Sequence, residues 1–431
     1  MSEPGFHLAI TWIIPCRTDG FRGGTEDMDS SATAGAAPRK DAPGPSAAPE
    51  APKPKVAFLL PDFGGGGAEP MIVRLANAFA GRGYPVDLVA LRAEGPNLAA
   101  VAPEVRVVDL DVTWWPVSPL AIRGYLRRAR PGLLISALFH ANVFALAARL
   151  LLPFTKTRFV VTERNMLSVH VRYSKRKTRG FFFLAARLLY PFADKVVGVS
   201  KGVAEDIRRI ARLPGHKVTW IYNPTATPEA LAYAAAGPSA ARDGAGDEPG
   251  ADPWLEAARR PIIVNVGRLE PQKDQGSLLR AFAKLPEARR GSLLILGQGS
   301  LRGELERLSR ELGIDRQVRF AGYVEDPLRY LRRADLYVLS SLYEGFPNAL
   351  VEALLCGLPI VSTDCPSGPD EILGADEFGT LVPRSDPDAL AEAILRTLAR
   401  PPDPARQRAR ALAFTVERSA DRYEALARQL G

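Results

Sequence analysis

Two glutamates eight positions apart, Glu344 and Glu352, bracket the segment Gly-Phe-Pro-Asn-Ala-Leu-Val that follows a short apolar run, Leu336 to Leu339. Pro347 suits a helix start and Asn348 its cap, so a helix is expected over 349–355. The free amides of Asn348, Ala349 and Leu350 would then form an anion site at the positive end of that helix. Carboxylates beside an anion site repel the anion. They fit as acceptors for hydroxyl groups on either side of it, sugar from one and ribose from the other. The same spacing also suits ordinary glutamates on a solvated helix face. A second constellation is Val264-Asn-Val-Gly-Arg-Leu-Glu-Pro-Gln-Lys273, which ends an apolar run at Gly267 and places Arg268 and Lys273 in the loop beyond. Two cations in such a place can meet the charge that grows on a departing diphosphate.

The elements that must hold these loops alternate between apolar strands and amphipathic helices. The rhythm begins at Lys55-Val-Ala-Phe-Leu-Leu60 and turns at the glycine run Gly64–Gly67. A helix with apolar positions Met71, Ile72, Leu75 and Phe79 follows. Further strands are expected near Val86–Leu91, Val105–Val112, Leu133–Leu138, Phe159–Thr162, Lys195–Val199 and Val218–Tyr222. The pattern lapses over 225–258, which reads as an extended linker, then resumes at Pro261–Val266. Such alternation predicts an α/β chain with two Rossmann-like parallel-sheet domains facing a cleft, ligands lying at the carboxyl ends of the strands. The expected boundaries are 55–224, 225–258 and 259–411. Residues 1–54, rich in Ala, Pro, Gly and Ser, are expected to be a disordered tail, with Met28 an alternative start.

Composition removes several function classes. The chain has 431 residues, 46% hydrophobic and 24% charged, which is ordinary globular composition. No apolar run reaches the roughly 20 residues a bilayer span needs. Leu8–Pro15 is short and lacks the basic flank of a signal peptide. Three cysteines without ligand spacing argue against a disulfide scaffold and a zinc finger, and fit a cytoplasmic protein. Neither Gly65-Gly-Gly67 nor Gly297-Gln-Gly299 completes a dinucleotide fingerprint, because Pro70 and Arg302 stand where the third glycine belongs. No Gly-Lys-Ser/Thr follows a glycine run, so a phosphate-binding kinase loop is absent. Asp109-Leu-Asp111 has the look of a metal-binding pair, but it is expected to be a polar strand edge with both carboxylates on one face.

Together these motifs resemble the family-four glycosyltransferases, retaining nucleotide-sugar enzymes of the GT-B fold. The resemblance rests on Gly267–Lys273, Leu-Gly-Gln-Gly (296–299), Tyr343–Ala353 and Gly-Leu-Pro-Ile-Val-Ser-Thr-Asp (357–364), which stand in the family's order. It covers roughly residues 55–430. It implies that Arg268 and Lys273 bind the donor diphosphate, Glu344 holds sugar hydroxyls near the reacting carbon, and Glu352 holds the ribose. It places the backbone of Gly322 and Tyr323 near the base, His140 against the donor sugar, and Gly66-Gly67-Ala-Glu69 as a glycine loop at the cleft. Thr162–Asn165 and Ser200-Lys-Gly202 also match family positions. Pro70 departs from the arginine common after Ala-Glu, which bears on the acceptor side. Cys365–Glu371 resembles members that build lipid-linked or surface polysaccharides from UDP-sugars. A final helix near 412–431 is implied to cross back to the first domain. No metal ion and no cofactor beyond the nucleotide-sugar co-substrate is expected.

Charge adds one more expectation. The net charge is +8, yet 151–220 alone carries 15 Lys/Arg against 4 Asp/Glu. Arg172, Lys175, Arg176, Lys177 and Arg179 form the densest run, directly before Phe181–Tyr190. This pair of segments suits peripheral docking on an anionic membrane leaflet, or equally a core helix preceded by a solvated loop. Nucleic-acid binding finds no accompanying motif. A glycosyl phosphorylase or nucleotide-sugar synthase of the same fold is the remaining alternative, and it would use phosphate or a free sugar as acceptor.

Overall fold

The computed structural model describes residues 52–64, 66–169, 176–235 and 253–431, with the backbone alone at 176–179 and 235. The expected tail lies outside these except for residues 52–54. Residues 52–431 form one compact unit. Its first half is built on seven strands: β1 (Val56–Leu60), β2 (Val86–Ala90), β3 (Val105–Asp109), β4 (Leu133–Ala137), β5 (Arg158–Glu163), β6 (Lys195–Gly198) and β7 (Val218–Trp220). All pair in parallel in the order β3-β2-β1-β4-β5-β6-β7. The second half holds β8 (Ile262–Val266), β9 (Ser292–Leu296), β10 (Val318–Gly322), β11 (Leu336–Leu339), β12 (Ile360–Thr363) and β13 (Thr380–Val382), again parallel, in the order β10-β9-β8-β11-β12-β13.

Helices cover both faces of each sheet, which is why the central strands are apolar throughout rather than alternating. Every residue of β1, β2, β4 and β9 is buried. Phe58, Ile72 and Phe79 pack on one face of the first sheet, and Leu59, Leu146 and Phe159 on the other. The second sheet is sandwiched likewise, Leu339, Leu350 and Leu354 on one side and Phe282, Ile295 and Ile394 on the other.

Two readings from sequence change. The stretch expected to be an extended linker begins and ends with short helices, Pro228–Ala235 and Pro253–Ala257, whose Ala234 and Leu255 are buried in the second half's core. Asp109 ends β3, and Asp111 takes a left-handed turn with φ 47° whose amide donates to Asp109 Oδ1 at 2.8 Å, so the two carboxylates do not share a strand face. The last helix, Val416–Leu430, packs on helix Glu69–Gly81 of the first half, where Arg82 meets Glu424 at 2.9 Å and Tyr423 joins the core. Beside that crossing, the chain at Ala226 pairs with Thr415 as a parallel bridge.

At the end of β5 a carboxyl group is buried in the core. Glu163 accepts from Asn142 Nδ2 at 2.9 Å and from the Tyr190 hydroxyl, while Ser136 Oγ donates to Asn142 Oδ1 at 2.7 Å. Burial dominates and pushes its pKa up to about 7, with the Tyr190 and Asn142 donors pulling the other way. The folded chain therefore keeps this proton at pH values where the unfolded chain, near 4.5, has lost it. Stability from this group is full below pH 4.5 and falls as pH rises to about 7, by roughly 3 kcal/mol. Glu163→Gln keeps the acceptor oxygen and should flatten that slope. Urea midpoints at pH 5 and pH 8 test it; a wild-type-minus-variant difference that does not change between the two pH values refutes it.

Candidate functional site

In both sheets the strand order reverses beside the first strand, between β1 and β4 and between β8 and β11. Loops diverge there to opposite faces and leave a crevice. The loop after β1 carries Gly66 and Gly67, and His140 stands in the first turn of helix Phe139–Leu150, which follows β4. The loops after β8 and β11 carry Arg268, Lys273 and Glu344. Gly67, Arg268, Lys273 and Glu344 thus fall on loops that flank the two crevices, His140, Asn348, Ala349, Leu350 and Glu352 lie in the helices that follow β4 and Glu344, and Gly322 and Tyr323 stand at the end of β10.

Lys273 ends the turn Pro271–Lys273, and its ammonium donates to Glu344 Oε1 at 2.6 Å. Ser341 Oγ donates to the same oxygen at 2.6 Å. The pair is largely withdrawn from water, with side-chain exposures of 17% and 6%. The two loops are sewn together behind it: Gln272 Nε2 donates to Tyr343 O at 2.9 Å, Leu342 N to Gln272 O at 2.8 Å, and Ser340 Oγ to Lys273 O at 2.7 Å. The lysine stem runs across Gly267, where a Cβ would lie 3.1 Å from Lys273 Cε. Gly297, at φ 136°, lets the end of β9 close on the same loop, since a Cβ there would sit 2.1 Å from Gly267 O. Arg268 is exposed and has no side-chain hydrogen bond or ion pair among the described residues. One cation is thus held and paired, and one is open. The direct Lys273–Glu344 pair went unforeseen in the sequence.

The helix after Glu344 runs over Asn348–Leu355, one residue earlier than expected. Its cap position is Pro347, with no side-chain cap. The Asn348 side chain instead crosses to the first half: Nδ2 donates to Gly67 O at 3.0 Å, and Oδ1 accepts from Asn223 Nδ2 at 2.8 Å and Thr225 Oγ1 at 3.1 Å. A side chain used in this way cannot fold back on its own helix. The Leu350 amide bonds Pro347 O at 3.0 Å, which leaves the Asn348 and Ala349 amides at the helix head. Glu352 is half-buried one turn along. Burial raises its pKa, and the Arg74 guanidinium pulls it back down. Arg74 stands in helix Glu69–Gly81 one turn beyond Pro70, and donates to Thr225 O at 2.9 Å. It was missed in the sequence, although a base one turn into the glycine-loop helix was a usable signal.

Gly322, at φ 79°, closes β10, and its carbonyl accepts from Gly297 N at 2.7 Å. Tyr323 beyond it is 57% exposed. His140 follows β4, which lies between β1 and β5. It stands at the edge where Gly67 after β1 and Arg164 after β5 both meet the second half. Its exposed ring meets Trp115 at 5.3 Å and Phe182 at 5.9 Å, edge to face. Cys365 is buried beside the Glu344 loop, and burial pushes its thiol well above the ordinary range. Arg172 and Lys175, and the side chains of Arg176, Lys177 and Arg179, lie outside the described residues.

An arrangement with an open and a paired cation, a helix head, a buried acid on the loop before it and a half-buried acid one turn into the helix can hold a diphosphate flanked by hydroxyl-bearing groups. Residues 65–227 match the family described as Glycosyltransferase Family 4, and residues 251–413 that described as Glycosyl transferases group 1. A Campylobacter jejuni N-acetylgalactosamine-N,N'-diacetylbacillosaminyl-diphospho-undecaprenol 4-alpha-N-acetylgalactosaminyltransferase is 34% identical over 241 residues, 56% of this chain and 60% of that protein. An uncharacterized glycosyltransferase of Methanocaldococcus jannaschii is 41% identical over 113 residues, 26% of this chain and 28% of its own length. The chain thus spans less than two thirds of either relative. Among solved structures, Anabaena HepE in complex with UDP superposes with a TM-score of 0.67 at 20% identity, covering 87% of this chain and all of that one. The sucrose-phosphate synthase of Thermosynechococcus elongatus gives 0.70 at 22% identity, covering 88% and 99%. These likenesses agree with the two facing parallel-sheet domains in the GT-B architecture. The two family matches divide between the two halves and take in the crevice loops of each, and the chain belongs to the glycosyltransferases of family-four type.

Proposed function

We propose that this chain transfers a sugar from a UDP-sugar to a hydroxyl of a lipid-linked or polysaccharide acceptor, with retention of anomeric configuration. The observation that carries the reading is the Lys273–Glu344 pair, set at 2.6 Å before the head of helix Asn348–Leu355 at the second sheet's crevice. The names of similar proteins support the donor and acceptor classes: HepE was solved with UDP, and the Campylobacter relative is named for a diphospho-undecaprenol substrate.

In this reading Arg268, Lys273 and the Asn348 and Ala349 amides receive the negative charge that grows on the diphosphate. Glu344, held by Lys273 and Ser341, accepts hydroxyl hydrogen bonds from the donor sugar, with His140 on its other side. Glu352 holds the ribose. The bond from the anomeric carbon to the phosphate oxygen breaks as the bond to the acceptor oxygen forms on the same face. The acceptor's proton passes to the departing phosphate oxygen. Chain cations and amides, with no metal ion, carry the charge.

A membrane-side acceptor fits one surface of the first half. Among the described residues no helix is long and apolar enough to cross a membrane. Helix Arg176–Leu189 turns Ala185 and Ala186 into the core yet exposes Phe181, Leu184 and Leu188, one stripe at helical spacing. Leu120, Trp114 and Phe154 are also exposed in this half. The helix is therefore neither wholly core nor wholly surface. We infer peripheral contact with an anionic leaflet through that stripe and the basic run beside it.

The test is a panel of UDP-, GDP- and ADP-sugars offered with a lipid-linked acceptor, together with sedimentation of liposomes with and without acidic lipid. Transfer from a UDP-sugar with retained configuration, and pelleting that needs acidic lipid and is lost in Phe181→Ser/Leu184→Ser/Leu188→Ser, are expected. Consumption of donor only with orthophosphate or a free sugar as acceptor would replace the reading with the phosphorylase or synthase alternative. Absence of pelleting on either liposome removes the membrane contact.

A further inference from the structure

The segment Gly345–Asn348 joins Glu344 to the donor helix, and it is gripped from the first half at both ends. Arg164 follows β5 and is only 7% exposed. Its Nη1 donates to Asn223 Oδ1 at 2.6 Å, Asn223 Nδ2 donates to Asn348 Oδ1 at 2.8 Å, and Asn348 Nδ2 donates to Gly67 O at 3.0 Å. A polar chain thus runs from the end of β5 to the glycine loop through the head of the donor helix. The Arg164 carbonyl oxygen also lies so close to Gly345 that a Cβ there would be 1.9 Å away. Ser367 Oγ donates to Gly345 O at 3.0 Å and meets Ser200 Oγ of the first half at 2.5 Å.

Stability alone is a poor reason for this arginine. Its Nε and Nη2 are buried without a hydrogen-bond partner, and among the described residues no carboxylate forms an ion pair with it, Glu69 and Glu163 acting on it only at longer range. An unpaired buried guanidinium costs free energy, and an apolar side chain of similar size is often as good or better for folding. The residue's use must be sought in what it holds.

We propose that Arg164 is a positioning residue. Through Asn223 and Asn348 it couples closure of the two halves to the placement of the Glu344 loop and the donor-helix head, so that the site is assembled only when the seam is shut. This rests on the transfer reading for its catalytic part. Closure itself can be measured without any sugar.

The experiment uses Arg164→Met, Arg164→Lys and Asn348→Ala in the full chain. For closure, labels at the exposed positions Glu104→Cys and Glu392→Cys, one per half, report distance in a Cys16→Ser background. Arg164→Met and Asn348→Ala should lengthen or broaden that distance while Arg164→Met keeps or raises the Tm. An unchanged distance overturns the proposal. For chemistry, each of these two variants should lower kcat about 10- to 100-fold, the scale of an ångström of misplacement, with the Kd for UDP moving less than about threefold. The double variant should be no worse than the poorer single one, because serial links fail together. Arg164→Lys, which still donates, should recover part of kcat. Multiplying effects, or a loss confined to UDP binding, overturn it as well. If wild type transfers from no donor while the distances respond as stated, it is the transfer reading that fails and the closure coupling that stands.

Discussion

Lys273→Ala should lower sugar transfer about 10²- to 10³-fold, the loss found when one preorganised donor to a developing negative charge is removed. The effect should exceed that of a lost surface cation for two reasons visible in the site. The ammonium is largely withdrawn from water, where its field is weakly screened. Its removal also leaves Glu344, now held only by the Ser341 hydroxyl, as an uncompensated negative charge beside the diphosphate. Folding should suffer much less. The unpaired carboxylate costs about 1–3 kcal/mol, a few degrees of Tm in a chain of this size. Lys273→Ala/Glu344→Gln separates the two causes: with both charges gone it should bind UDP more tightly than Lys273→Ala and still fail to turn over. A single variant keeping a third of wild-type transfer at saturating donor would remove the diphosphate assignment.

Gly345→Ala should have a comparable effect without touching a charged group. The added methyl would meet the Arg164 carbonyl oxygen at 1.9 Å and its carbon at 2.8 Å. Both are backbone atoms at the end of β5, so no side chain can swing away, and the seam must part by about an ångström. Displacement on that scale costs about 10²-fold when reacting groups are otherwise aligned. Each half keeps its own core, so Tm should change little. Gly303→Ala is the control. It lies in helix Arg302–Glu311 with nothing within 4 Å of the new methyl, and should be active and slightly more stable. Wild-type transfer by Gly345→Ala would show that the seam is not needed shut.

Much of this molecule was legible because its information is local. Buried parallel strands announce themselves as apolar runs, and β1 and β11 fall within the expected residues. β13 escaped because three residues, Thr380–Val382, carry too little pattern. Glu344, Lys273 and Arg268 were nameable from type and spacing, and the topology brings their loops together. Asn348 was read wrongly for a physical reason: asparagine at a helix start usually caps it, and only the opposite half, with Gly67, Asn223 and Thr225, could claim that side chain instead. Arg164 lies in Thr162–Asn165, which matched family positions, but its partner Asn223 could not have been paired with it from sequence, since 59 positions separate them. What the linear text hides, then, is the seam rather than the pocket.

The paired crossing at Ala226 and Thr415 sets how the halves can move. Thr225 N and Ala226 N both donate to Phe414 O, at 3.2 and 3.0 Å, and Val416 N donates back to Ala226 O at 3.1 Å. Two chain passages tied side by side behave as a flat hinge, free to bend about one axis and stiff against twist or sliding. Opening should therefore swing the donor loops away from Gly67 along a single arc and return them to the same register. A terminal truncation before Val416 would convert that one-axis hinge into a single flexible tether.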